Sequence, residues 1–193
     1  MTLTDVDSGS LLAALRSLLA EQGIATAEEI AERIAVTDAA TPRRGAAMVA
    51  KAWVDPAFRA LMLADGARAA ESLGIPMRGM PPLGVLENTP DLHHLVVCTL
   101  CSCYPRAVLG YPPFWFKSTS YRARAVRDPR GVLAEWGTIL PEDVTLRVID
   151  STADYRWMVL PLRPGRTDGW SEDRLAALVR EGDMIGVTVP HCP

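Results

Sequence analysis

Cys98-Thr99-Leu100-Cys101-Ser102-Cys103 sets three thiols within six residues, and no other segment restricts the fold of this 193-residue chain as strongly. Sulfurs at that spacing converge only if the backbone turns tightly, so the flanking elements must hold a turn there. A thiolate is a soft donor that selects particular transition metals. Three of them on one turn can reach a single ion. The backbone amides of Ser102 and Cys103 lie between the last two sulfurs. If both lose their protons, two nitrogens and two sulfurs can define a plane, with Cys98 below it and a sixth position open. An open position separates a catalytic metal site from a structural one.

Other uses of clustered cysteines fit less well. Structural zinc takes four ligands, usually in paired spacings. Here there is one cluster, Cys192 stands near the C-terminus, and His93, His94 and His191 belong to no second paired motif. An iron–sulfur cluster also takes four ligands as a rule. Composition narrows the class further. Hydrophobic residues at 49% supply a core, and a net charge of −3 carries no basic signature of nucleic-acid binding. No apolar run approaches the roughly 20 residues of a membrane span, and the first seven residues lack the basic segment of a signal peptide. The expectation is a cytoplasmic protein without nucleic-acid or membrane partners. In that compartment clustered cysteines point to metal or redox chemistry rather than disulfides.

Helical signals fill the first third. Leu11, Leu12, Leu15, Leu18 and Leu19 recur at helical spacing up to Gly23. Thr26 with Glu29 forms a capping box. Thr41-Pro42 opens a helix to Trp53, and Asp55-Pro56 opens another that runs to Leu73 before Gly74. Residues 74–84 are rich in glycine and proline and mark a boundary. Strands are predicted at Leu83–Leu86, at Leu95–Val97 leading into the cysteine turn, and at Val144–Val148. The last of these is predicted to form a hairpin with Arg156–Leu160. Short helices are predicted over 121–126, over 128–137 and after Ser171, and a final strand over Met184–Val189. The expected architecture is α+β: a helical N-terminal arm for subunit contact (1–75), then a layered α-β-β-α domain with largely antiparallel strands carrying the metal turn (76–193).

Val97-Cys98-Thr99-Leu100-Cys101-Ser102-Cys103-Tyr104-Pro105 resembles the metal-binding motif of nitrile hydratase α subunits, whose near relative is the γ subunit of thiocyanate hydrolase. The likeness extends through Glu87-Asn88-Thr89-Pro90, Val108-Leu109-Gly110, Pro112-Pro113, Lys117-Ser118 and Tyr121-Arg122-Ala123-Arg124. It continues with Val126-Arg127-Asp128-Pro129-Arg130, Val132-Leu133-Ala134-Glu135, Val159-Leu160-Pro161, Arg163-Pro164 and Gly169, covering roughly residues 40 to 190. What it implies is a non-corrin, low-spin cobalt(III) centre, with iron(III) as the alternative. Thr99 goes with cobalt in this family. The implied ligands are the sulfurs of Cys98, Cys101 and Cys103 and the amide nitrogens of Ser102 and Cys103. Cys101 would become a sulfinic acid and Cys103 a sulfenic acid, both steps on the ordinary oxidation ladder. The implied partners are a β-type subunit that supplies arginines to the oxidised sulfurs, an activator or metallochaperone that loads the metal, and a small-molecule nitrile. Cys101, Ser102 and Cys103 would take part in hydrating the nitrile to an amide, with either an activated water or the sulfenate oxygen of Cys103 as nucleophile. A thiocyanate hydrolase subunit and a non-catalytic zinc protein are the competing functions.

Two segments depart from the common pattern. Arg106-Ala107 stands where many members carry Trp-Pro, and Gly79-Met80-Pro81 where many carry Gln-Gly-Glu. These changes point to an unusual substrate, such as a bulky heteroaromatic nitrile. The basic run Arg122, Arg124, Arg127 and Arg130 reads as a solvated helix face or subunit contact, with acids of the partner as mates. Phe114-Trp115-Phe116 reads equally as substrate channel or packing. His93 and His94 read as structural polar residues, and the leucines of residues 11–19 as a packing or partner-binding face.

Overall fold

The computed structural model describes residues 7–192, and the chain divides into two compact units, Met1–Ala39 and Ala40–Pro193. The first unit holds α1 (Ser8–Glu21) and α2 (Ala27–Asp38). Asp7 caps α1 by accepting from the Ser10 N–H at 3.2 Å. The expected capping box of α2 is present: Thr26 N–H donates to Glu29 Oε2 at 2.7 Å, and Glu29 N–H to Thr26 Oγ1 at 3.1 Å. Neither helix buries a residue. The apolar stripe of α1 therefore stays open, with Leu11 at 62% exposure.

The second unit begins with α3 (Pro42–Val54), α4 (Pro56–Ala64) and α5 (Gly66–Ser72). The single helix expected from Asp55 to Leu73 is broken at Asp65, whose backbone is extended and whose carboxylate caps α5 through the Arg68 N–H at 3.0 Å. Aspartate serves better as a cap than inside a helix, because its side chain competes for backbone donors. Met48, Val49, Phe58, Met62 and Ala69 of these helices join one core with Leu95, Val96 and Val97. The expected boundary at 75/76 thus falls inside this larger unit.

The strands correct the expected pairing. β1 (Leu83–Glu87) pairs with β4 (Arg156–Leu160), and β2 (Leu92–Val97) with β3 (Thr145–Asp150); both pairs are parallel, not antiparallel. The predicted hairpin between 144–148 and 156–160 does not form. Between β2 and β3 the chain makes a crossover through α6 (Arg106–Leu109), α7 (Phe114–Lys117), α8 (Thr119–Arg127) and α9 (Pro129–Glu135), which is the connection parallel strands need. Met158, Val159 and Leu160 form an unbroken buried run, the pattern of a strand covered on both faces rather than the alternation of a half-exposed hairpin.

The predicted last strand is also absent. After α10 (Glu172–Ala176), Glu181–Met184 forms a 3-10 turn, and in the irregular chain beyond it the Ile185 carbonyl accepts from the Val96 N–H at 2.8 Å. Gly186, at φ 88°, lies so close to β2 that a Cβ there would sit 1.9 Å from the His94 carbonyl oxygen. Among the described residues, no helix is long and apolar enough to cross a membrane.

Candidate metal centre

β2 delivers the cysteine turn. Leu95, Val96 and Val97 are fully buried, so the strand is anchored up to its last residue and Cys98 follows as the chain leaves the core. Tyr121 of α8 donates its hydroxyl to the Val96 carbonyl at 2.6 Å, and burial pushes that hydroxyl's pKa up, keeping it a donor. In the parallel register Val97 lies opposite Asp150. The Asp150 carboxylate, at the end of β3, accepts from Thr99 N–H at 3.0 Å and from Thr99 Oγ1 at 2.5 Å. Arg122 donates to the Leu100 carbonyl at 2.9 Å. The turn is therefore clamped through Thr99 and Leu100, the two residues between Cys98 and Cys101.

The three sulfurs converge as the spacing predicts. Cys98 Sγ lies 3.5 Å from Cys101 Sγ, which lies 3.1 Å from Cys103 Sγ. All three fall within 4.8 Å of one another, a grouping able to hold a metal ion. Among the described residues no histidine or carboxylate joins them there, so a closed four-ligand zinc site lacks its fourth side chain. Cys98 and Cys103 are buried, at 1% and 7% exposure, while Cys101 opens outward. Electrostatics separate the thiols. Hydrogen bonding from Cys103 first, then from Cys98 and from the Ser102 backbone, holds Cys101 below the usual thiol range. Burial first, then the bond to Cys101, pushes Cys103 up to about 12. Cys101 is thus the most readily ionised thiol of the hub, and metal uptake would displace the thiol protons. The Ser102 and Cys103 N–H groups both face the Cys101 sulfur, where a five-donor set would need their nitrogens. The donor chemistry fits a soft, strongly bound transition metal.

A cavity of about 380 Å³ opens beside the turn. Cys101, Ser102 and Cys103 line it together with Met77, Met80, Pro81 and Leu83, and Arg106 and Arg156 are the charged residues of the lining. Both departing segments, Met80-Pro81 and Arg106-Ala107, therefore line the same space. Arg106 stacks on the Tyr111 ring at 4.5 Å. Tyr104, next to the last cysteine, is buried and donates to Glu181 at 2.6 Å.

Other expected candidates stand elsewhere. His93 and His94 lie buried within β2: His93 bonds the Gly186 carbonyl at 2.8 Å and Asn88 at 3.1 Å, and the His94 N–H donates to Asn88 at 2.8 Å. Phe116 is core and Trp115 packs partly against it, while Phe114 is exposed; none of the three lines the cavity. Arg124 pairs with Glu135 of its own chain at 2.6 Å, and Arg130 donates to the carbonyls of Leu140, Pro141 and Val144. These two arginines therefore have mates within the chain. Cys192 Sγ contacts the Gly165 carbonyl and stands outside the cluster. Asp150 and Arg156 were not anticipated. A carboxylate ending an alternating strand is the only local signal for Asp150, and its role depends on which strand lies beside it.

Replacing Asp150 by alanine removes both bonds to Thr99. We expect a stability loss of about 1–3 kcal/mol, read as a lower urea midpoint, and a larger effect on metal retention than on unfolding. Metal retention equal to that of the unsubstituted chain would refute the clamp.

Residues 7–188 match the family described as nitrile hydratase, alpha chain. The chain is 49% identical over 177 residues to a cobalt-containing nitrile hydratase subunit alpha from Pseudonocardia thermophila, covering 90% of this chain and 86% of that one. It is 46% identical over 181 residues to the low-molecular weight cobalt-containing nitrile hydratase subunit alpha of Rhodococcus rhodochrous, covering 93% and 87%. It is 44% identical over 188 residues to the thiocyanate hydrolase subunit gamma of Thiobacillus thioparus, covering 92% and 77%. Among solved structures, a recombinant thiocyanate hydrolase comprising partially modified cobalt centres superposes with a TM-score of 0.88 at 42% identity, over 96% of this chain and 91% of that one. A double mutant of the Fe-type nitrile hydratase from Comamonas testosteroni Ni1 superposes at 0.85 and 42%, over 97% and 94%.

Proposed function

The chain belongs to the nitrile hydratase alpha-chain family, and from that membership we propose that it is the metal-bearing subunit of a cobalt nitrile hydratase, acting in the cytoplasm with a β-type partner. The observation that carries this reading is the convergence of Cys98, Cys101 and Cys103 within 4.8 Å on a turn held by Asp150 and Arg122. Their sulfurs, with the amide nitrogens of Ser102 and Cys103, would hold cobalt(III), iron(III) being the alternative; Thr99 and the cobalt-containing relatives favour cobalt. Bound there, the ion supplies Lewis-acid activation of a nitrile or a water molecule.

The chain's own groups set the conditions for hydration. Cys101, Ser102 and Cys103 line the cavity in which a nitrile would lie, and Met77, Met80, Pro81 and Leu83 give it an apolar side. Ser102 lines the same cavity, and its hydroxyl would hold a proton as one moves from oxygen to nitrogen. Oxidised to sulfinic acid at Cys101 and sulfenic acid at Cys103, the cluster carries oxygens that need cationic partners, and arginines of the β-type subunit would meet them. The open leucine stripe of α1 supports its role as an arm for that subunit, and an activator protein would load the metal. Sulfur and apolar walls in place of Gln-Gly-Glu favour a bulky heteroaromatic nitrile, the substrate type of toyocamycin nitrile hydratase.

One observation favours a second reading. Arg106 brings a cation into the cavity, which suits the anion thiocyanate, and a thiocyanate hydrolase subunit is among the relatives. The deciding experiment purifies the chain with its partner after expression with cobalt and assays both substrates. The nitrile hydratase reading expects about one cobalt per chain and conversion of a nitrile to its amide. Carbonyl sulfide and ammonia from thiocyanate, without amide formation, would replace it with the second reading. A metal-free, inactive complex would end both.

A further inference from the structure

One atom of a cavity-lining residue has no account in the fold. Arg156 Nη1 is buried and has no hydrogen-bond partner. Buried donors are nearly always paired, so an orphan marks a place for a missing acceptor. Arg156 opens β4, lies opposite Leu83 in the parallel register, and donates its backbone N–H to the Pro82 carbonyl at 2.9 Å. Its backbone is therefore fixed, and the residue lines the cavity together with Cys103. No carboxylate among the described residues lines that cavity to satisfy it. The other orphan nitrogen, Arg122 Nε, belongs to a side chain already committed to the Leu100 carbonyl and lining a different cavity.

Cys103 is the buried one of the two oxidisable sulfurs, while Cys101 is exposed. An oxygen on Cys101 is open to donors from outside the chain. An oxygen on Cys103 must find its donor in the protein. We propose that Arg156 is the cation this chain itself supplies to its metal turn, donating from Nη1 to the oxygen carried by Cys103 and holding it in place. It is a positioning residue, and the partner's arginines are not the sole counter-charges. The inference rests on the reading above that Cys103 carries a sulfenate.

The test uses the cobalt-loaded complex with wild-type chain, Arg156→Met and Arg156→Lys. The readouts are cobalt per chain, the mass of the peptide containing Cys103, and its rate of over-oxidation by hydrogen peroxide. In that step the peroxide gives one oxygen to the sulfenate sulfur, which becomes sulfinate, and leaves as water. Wild type should carry one added oxygen on Cys103 and resist. Arg156→Met should keep its cobalt but convert about tenfold faster, having lost a charge-assisted bond to the oxygen. Arg156→Lys keeps the charge without the fork and should fall between the two; it serves alone if Arg156→Met does not assemble. Conversion at the wild-type rate in the assembled variants overturns the inference. So does loss of cobalt in both variants, which would assign Arg156 a structural role. An unmodified Cys103 in wild type overturns the underlying reading and the inference together.

Discussion

Cys101→Ala should abolish metal retention and, with it, amide formation, lowering activity by roughly a thousandfold or more. Cys101 is the hub of the cluster: its sulfur lies 3.5 Å from that of Cys98 and 3.1 Å from that of Cys103. It is also the thiol whose neighbours favour the ionised form, and a thiolate rather than a thiol is the metal ligand. Alanine leaves two buried thiols with no shared partner between them. Because Cys101 is exposed, the substitution opens no core cavity, so the fold should survive. The measurement pairs cobalt analysis and charge-transfer absorption with a urea titration. Metal content at the wild-type level would show that the cluster is not the site. Cys192→Ala is the matched control and should change neither quantity, since that sulfur stands outside the cluster.

Gly186→Ala should be the most damaging single methyl added to the fold, costing about 3–5 kcal/mol. Two penalties combine there. The residue sits at φ 88°, where a Cβ is strained, and the new carbon would lie 1.9 Å from the His94 carbonyl oxygen. That neighbour is backbone of β2 and cannot swing aside. The Gly186 carbonyl also accepts from His93, so displacement breaks the contact that seats the strand. The expected result is a fall in urea midpoint of at least half, or an insoluble chain. Gly137→Ala isolates the first penalty, with φ 80° and open space around it, and should cost only about 1 kcal/mol. Similar midpoints for the two variants would show that β2 yields at this point.

Local signals were legible and distant ones were not. The capping box of Thr26 and Glu29 is a contact three residues long, so its chemistry can be read from spacing. The convergence of three sulfurs is readable for the same reason. The clamp on them is not. Asp150 reaches Thr99 only because β3 runs parallel to β2, and the strand's own alternation is compatible with either direction. Reading 144–148 and 156–160 as a hairpin placed Asp150 at a turn and hid its partner. It hid Arg156 as well, whose place in the cavity follows from pairing with Leu83. The helix expected through Asp65 failed on a smaller scale, because one carboxylate can extend a polar face or end a helix with equal local logic.

The clamp also fixes an order of events during synthesis. Thr99 and Asp150 are 51 residues apart, so a growing chain presents all three thiols well before the carboxylate that organises them exists. Parallel pairing then adds the entropy of closing a long loop, which delays such contacts relative to local ones. For that interval the cysteines sit on an unbraced segment, free to meet oxidants or competing ions. A loading factor that waits for the β2–β3 register, recognising the clamped turn rather than the bare cysteines, would insert metal only into chains that have finished folding.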